Sequence, residues 1–143
     1  MYRCRGRGGV GVVWRMRTIL AVAAGGALGA VARYGIGGWF QQATRSDFPW
    51  GTMLVNVTGS LVLGFLMVWL RATTASVEVR TLLTVGALGG YTTFSTLTYE
   101  TAAMFQEGEW RRAGFYALGS LVLGLVALMM GMAVADALLR KSG

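Results

Sequence analysis

"GALGGYTTFSTLTYE", residues 86–100, sets glycines, four threonines, a serine, two tyrosines and a glutamate inside a strongly apolar chain. In hydrocarbon each polar group costs free energy unless the protein itself satisfies it. Gly89 and Gly90 weaken helix continuity, and the hydroxyls can satisfy backbone groups released by a break. Non-helical backbone at membrane depth persists only where it is buried or lines a water-filled route. The stretch therefore predicts a discontinuous helix at a functional centre, and carbonyls exposed by the break can hold a hard cation.

The rest of the chain supplies the membrane. Of 143 residues 55% are hydrophobic and 13% charged, with one proline and no histidine. A soluble domain carries roughly 25% charged residues. The charges cluster and leave uncharged stretches of about 20 residues, long enough to cross a core of about 30 Å. A soluble helical bundle would instead show a charged face every few residues. Four spans follow: about Thr18 to Phe40, interrupted by Arg33; about Trp50 to Leu70; about Thr81 to Phe105; and about Ala113 to Ala135. Their links are short, and Trp39, Trp50, Trp69 and Trp110 fall at span ends, where indole prefers the interface. The fold class is an all-α integral membrane protein of four transmembrane helices, the third broken near its middle. Residues 16–143 form its single membrane domain.

Several function classes drop out. The net charge of +7 suggests nucleic acid, but Arg3, Arg5, Arg7, Arg15 and Arg17 crowd the start and the other basic residues mostly mark loop edges. That distribution suits lipid headgroups better. Cys4 is the only cysteine, so there is no CxxC site, and without histidine neither a conventional transition-metal centre nor a nucleophile–histidine pair is expected. The chain is read as no enzyme. The basic start followed by "TILAVAAGGALGAVA" has the outline of a signal peptide, but the apolar run continues past Arg33 and is too long for one. Residues 1–15 lack any core-forming pattern and read as a basic extension, disordered or not translated, with Met16 as a natural compact start.

Two short motifs recur at an offset of 60 residues: "GALG" at 26–29 and 86–89, and "GSLVLG" at 59–64 and 119–124. The shared offset suggests a duplication of a two-span unit, a parallel repeat. The halves diverge at polar positions, Arg33 against Thr93 and Asn56 against Tyr116. Residues four apart share a helix face, which aligns Gly25, Gly29, Arg33 and Gly37; Thr52, Asn56, Ser60 and Gly64; and Tyr116, Ser120 and Gly124. For the glycines close helix packing is the favoured explanation. Asn56 is open to two roles, an inter-helix hydrogen-bond clamp or a lining group of a polar path. Arg33 either snorkels to an interface or stands at the mouth of an anion route. Glu100 is read as a cap or as a partner for a neighbouring chain.

Across nearly all of residues 16–141 the chain resembles the fluoride channels of the CrcB/Fluc family. The resemblance rests on "GGALGAVARY", "PWGTMLVNVTGSLVLG", "GALGGYTTFST" with Glu100, and the second "GSLVLG". It implies an antiparallel, dual-topology homodimer in the cell (inner) membrane, with two fluoride pores lined by both subunits. It also implies a structural, non-transported sodium ion held by backbone carbonyls of Gly89 and Thr92 in each copy. The pathway residues carried over are Asn56, Phe94, Tyr116 and Ser120, with Thr52 and Thr93 beside them and Arg33 near the vestibule. The chain departs from the family pattern at Leu97, where a second phenylalanine is expected, and at Gly124, in place of a second pore serine. The implied function is export of cytoplasmic fluoride, without ATP, after fluoride has entered as membrane-permeant HF.

The chemistry agrees with these groups. Fluoride is small and strongly hydrated, so a selective path must replace water with amide and hydroxyl donors. An aromatic ring edge, which carries partial positive charge, can face the anion without trapping it. The alternative is a small four-span proton-coupled multidrug exporter, which needs a titratable carboxylate in mid-span; Glu100 is the one candidate and lies towards a span end. A packing subunit without transport would leave Asn56 and "YTTFST" idle.

Overall fold

The computed structural model describes residues 16–142, and the expectations for residues 1–15 lie outside them. The described chain is helical throughout. Helix α1 spans Met16–Thr44, α2 Trp50–Ala72, α3 Val77–Thr81, a π-helical segment Leu82–Leu88, α4 Gly89–Tyr91, α5 Phe94–Gln106 and α6 Trp110–Ser142. α1, α2 and residues Trp110–Lys141 are long and apolar enough to cross a membrane. The remaining pass is assembled in pieces from residues 77–106. The sequence placed all four helical stretches, with ends at or a few residues inside the observed ones.

Short links are held by polar side chains. After α1, Arg45 turns the chain at φ 47°. Gln41 clasps the turn: Nε2 donates to the carbonyls of Ser46 (2.6 Å) and Phe48 (3.0 Å), and Oε1 accepts from Gly51 N–H (3.0 Å). At the far end of α2, Arg80 donates to the carbonyls of Thr73 and Ala75, and Ser76 caps α3 through Val79 N–H. α5 ends at Gly108, whose φ of 79° suits a residue without Cβ.

Packing is made by small residues, as expected where lipid is as apolar as leucine. The two copies of each repeated motif lie against each other. A Cβ on Gly29 would collide with the Ala87 carbonyl oxygen, one on Gly25 with that of Leu82, and one on Gly90 would stand 2.6 Å from the Gly26 carbonyl oxygen. This is the seam of α1 with the broken pass, and "GALG" meets "GALG" along it. In the second seam, Gly64 abuts the Leu128 carbonyl, Gly131 abuts that of Leu61, and Gly124 faces Ser60. From Gly25 to Gly29 the contacts advance from Leu82 to Ala87, and from Ser60 to Gly64 they advance from Gly124 to Leu128, so each pair runs parallel, the direction that a duplicated two-span unit gives. Large side chains point outward instead, with Leu28, Val31, Leu118 and Met129 each more than 60% exposed and available to lipid. Trp39 and Trp110 are 69% and 68% exposed at helix ends, as interfacial anchors.

The break falls where the hydroxyls are, not where the glycines are. Gly89 is helical at φ −64°, ψ −34°, while Thr92 (φ −78°, ψ 154°) and Thr93 (φ −146°, ψ 115°) are extended. The expectation that Gly89 and Gly90 interrupt the helix is therefore corrected. Gly90 is there for the close approach to Gly26, and extended threonines need no special backbone freedom.

Candidate functional site

The site is built around the break. In a continuous helix Thr93 N–H would bond the Gly89 carbonyl, and Thr96 N–H would bond that of Thr92. Both donors go elsewhere. Thr93 N–H donates to Asn56 Oδ1 at 2.7 Å, and Thr96 N–H donates to Thr93 Oγ1 at 3.2 Å, which makes Thr93 the N-cap of α5. Asn56 Nδ2 in turn donates to the Thr93 carbonyl at 3.1 Å. The carboxamide thus pairs with both polar groups of one extended residue, as a neighbouring peptide would in a sheet, and this pairing sets which end of the amide is oxygen. One of the two roles open to Asn56, the inter-helix clamp, is observed directly. Its second N–H has no partner among the described residues and remains available.

One turn towards the start of α2, Thr52 Oγ1 donates to Glu100 Oε1 at 3.1 Å, and Tyr116 Oη donates to Glu100 Oε2 at 2.5 Å. This carboxylate ties α2, α5 and α6 together at one level. Asn56 and Ser120 lie four residues from Thr52 and Tyr116, and Thr93 lies seven from Glu100, so they form a second level. Ser60 and Gly124 make a third, with Ser60 Oγ donating back to the Asn56 carbonyl at 2.8 Å. From sequence Glu100 was read as a cap, as a partner for another chain, or as the carboxylate of a proton-coupled exporter, and not as a link between α2 and α6. Its spacing from Thr93, two helical turns, was the signal that would have placed it on the same face.

The pathway residues divide between two clefts. One, of about 750 Å³, is mostly apolar and is lined by Asn56, Phe94, Leu97, Ser120 and Gly124. Phe94 is 77% exposed at the first turn of α5, while Ser120 is 4% exposed with its hydroxyl lacking a partner among the described residues. The other cleft, of about 920 Å³, is more polar and is lined by Arg33, Thr52, Thr93, Thr96 and Glu100. Arg33 Nε is buried there, also without a partner among the described residues. Thr93 borders both clefts. Tyr116 lines neither; it is fully buried, its ring edge-on to Phe48 at 5.5 Å. Gly89 is exposed, and with Thr92 it borders the first cleft. Leu97 packs on the core formed by Phe48, Met53, Met104, Ala113 and Tyr116, so an aliphatic residue there fills both core and cleft wall.

Comparison with known proteins places most of the chain within one family. The family described as CrcB-like protein, Camphor Resistance (CrcB), matches residues 20–132. A protein of Thermus thermophilus named fluoride-specific ion channel FluC is 47% identical over 119 residues, 83% of this chain and 94% of its own. Proteins of the same name from Agrobacterium fabrum and Geobacter sulfurreducens are 41% and 46% identical, covering 83% and 84% of this chain and 96% and 98% of theirs.

Proposed function

This chain belongs to the CrcB-like family, and from that premise we propose that it is a fluoride-selective channel that exports fluoride and lowers its concentration in the cytoplasm. The carrying observation is the Asn56–Thr93 pairing at a broken membrane helix, beside a cleft where Phe94, Ser120 and a spare amide N–H converge. A dehydrating anion needs donors held in place, because mobile ones would solvate chloride as well. Asn56 is so held: two bonds to backbone fix its plane, and the spare N–H is its working end. Ser120 brings a second donor one helix away, a hydroxyl without a partner among the described residues. Phe94, at the cleft wall, offers ring-edge hydrogens to the anion. Arg33, with a buried nitrogen that has no partner among the described residues, raises anion concentration at the mouth of the second cleft.

The functional unit in this reading is an antiparallel, dual-topology homodimer in the cell inner membrane. The division of the pathway residues between two clefts of one chain supports it, since each pore is then completed by residues of the second copy. A structural sodium ion fits the break. Gly89 and Thr92 carbonyls have lost their helical donors to Asn56 and Thr93, and neutral carbonyl oxygens suit a hard monovalent cation. Bound there, an ion would be held by the Gly89 and Thr92 carbonyls and would supply a fixed positive charge.

Fluoride efflux from proteoliposomes, with chloride as the control anion, tests the function. Rapid fluoride release with chloride retained is expected; equal release of both anions, or of neither, would sink it. The proton-coupled exporter is not favoured, because Glu100 is held by Thr52 and Tyr116 as a structural crosslink.

A further inference from the structure

The two sides of the break are fixed by different parts of α2. Asn56 holds Thr93, on the downstream side. Upstream, α4 (Gly89–Tyr91) is the last turn of a helical run continuous from Val77 through the π-helical segment, and its free end lies at the break, where a helix frays first. Its last residue, Tyr91, places its hydroxyl 3.0 Å from Thr58 Oγ1. Thr58 Oγ1 also lies 2.8 Å from the Leu54 carbonyl; with the threonine hydrogen given to that carbonyl, Tyr91 donates and Thr58 accepts. The tyrosine ring rests on Gly59, where a Cβ would stand 3.0 Å from Cδ1 and would collide with the Thr92 methyl group. On the opposite flank, a Cβ on Gly29 would stand 2.8 Å from Tyr91 N. Tyr91 is therefore wedged between α1 and α2, directly before the first extended residue.

We propose that Tyr91 and Thr58 are a positioning pair for the break, with Gly59 as their seat, and that they orient the α4 turn carrying the Gly89 and Thr92 carbonyls. The part that concerns ion binding rests on the reading of those carbonyls as a sodium site. Neither residue is required to touch fluoride; both act through the backbone. A pair that merely satisfied two hydroxyls in hydrocarbon would not influence how residues 89–96 open or how they respond to sodium.

The test is hydrogen exchange of the segment around residues 89–96 in the purified full chain, with sodium present or replaced by N-methylglucamine. It compares wild type with Tyr91→Phe, Thr58→Val, the double variant and Thr58→Ser. The two single variants should speed exchange by roughly three- to tenfold, the range for loss of one hydrogen bond. The double variant should be no faster than either single one, and Thr58→Ser should match wild type. The sodium concentration giving half-protection should rise by a similar factor. Wild-type exchange in both single variants overturns the pair, whatever sodium does. Faster exchange in the variants, with no sodium response in wild type, keeps the pair as the support of the break and removes the cation reading instead. Should Tyr91→Phe fail to fold, Thr58→Val carries the test, since besides the acceptor it removes only the Thr58 bond back to its own helix, whose carbonyls keep their ladder partners.

Discussion

At Asn56 one side chain does the work of a missing turn of helix. Replacing it with leucine leaves Thr93 N–H without a partner, at about 1–3 kcal/mol for a buried group, and takes one of two donors from the Thr93 carbonyl, which as the N-cap carbonyl keeps its bond in α5. Asn56→Leu should therefore abolish fluoride efflux and lower thermal stability together, with efflux measured in liposomes and unfolding followed in detergent. Unchanged efflux would remove Asn56 from the pathway. Asn56→Asp separates the roles, because it keeps the acceptor for Thr93 N–H and loses the donors; a folded, non-conducting protein is expected. Glu100→Gln poses a different question. A carboxamide accepts from one hydroxyl and must donate its N–H to the other, so two charge-assisted bonds become neutral ones with one reversed, at a cost of about 1 kcal/mol. Fluoride efflux should persist at reduced stability. A fluoride flux that vanished in a fully stable variant would place Glu100 in the path rather than in the crosslink.

Between elements, glycines decide how close two helices come. Not all of them do so, and the difference is measurable within one motif. In "GALG" at 26–29, a Cβ on Gly26 meets nothing within 4 Å, whereas one on Gly29 strikes backbone of the π-helical segment. Gly29→Ala should cost about 1–3 kcal/mol or more through overpacking, while Gly26→Ala should be neutral or slightly stabilising. Thermal unfolding of the two variants in the same detergent checks this; equal melting points would mean the seam is looser than drawn. The π-helical segment belongs to the same seam. Its carbonyls face Gly25 and Gly29, and it leads directly into the short turn that ends at the break.

For the whole molecule, the question is which way it enters the membrane. With four passes, the first residues, the second loop and the end of α6 share one side. Counting from Met16, that side holds Arg17, Arg71, Arg80, Arg140 and Lys141, and the other holds Arg45, Arg111 and Arg112. So small a bias suits a protein that inserts both ways, whereas adding Arg3, Arg5, Arg7 and Arg15 favours a single orientation by the positive-inside rule. A version begun at Met16 should insert in both orientations, and the full chain should be skewed towards an inside start. A topology reporter on the C-terminus of each distinguishes them; a single orientation for the shorter version would call for a partner of opposite orientation. Exhaustive removal of sodium should also reduce both fluoride flux and dimer stability, read by efflux and by size in detergent. No change in either would remove the cation from the reading.

The sequence by itself determined the four passes, their short links and the small-residue stripes, because hydrocarbon admits few backbone solutions and uncharged length is readable directly. It also marked Asn56 and the hydroxyl run as the polar centre, since such groups are costly in lipid without a purpose. Tertiary structure decided where the helix breaks. Gly89 and Gly90 carry a low local cost for breaking, but the extended state goes to the residue whose backbone groups find outside partners, and Asn56 offers those to Thr93 across 37 positions of sequence. It likewise decided that Glu100 joins Thr52 and Tyr116, and that Arg33 and Phe94 face different clefts. Each of these depends on how three helices are rotated against one another, and glycine-mediated contact of backbones sets that rotation only once the helices are packed.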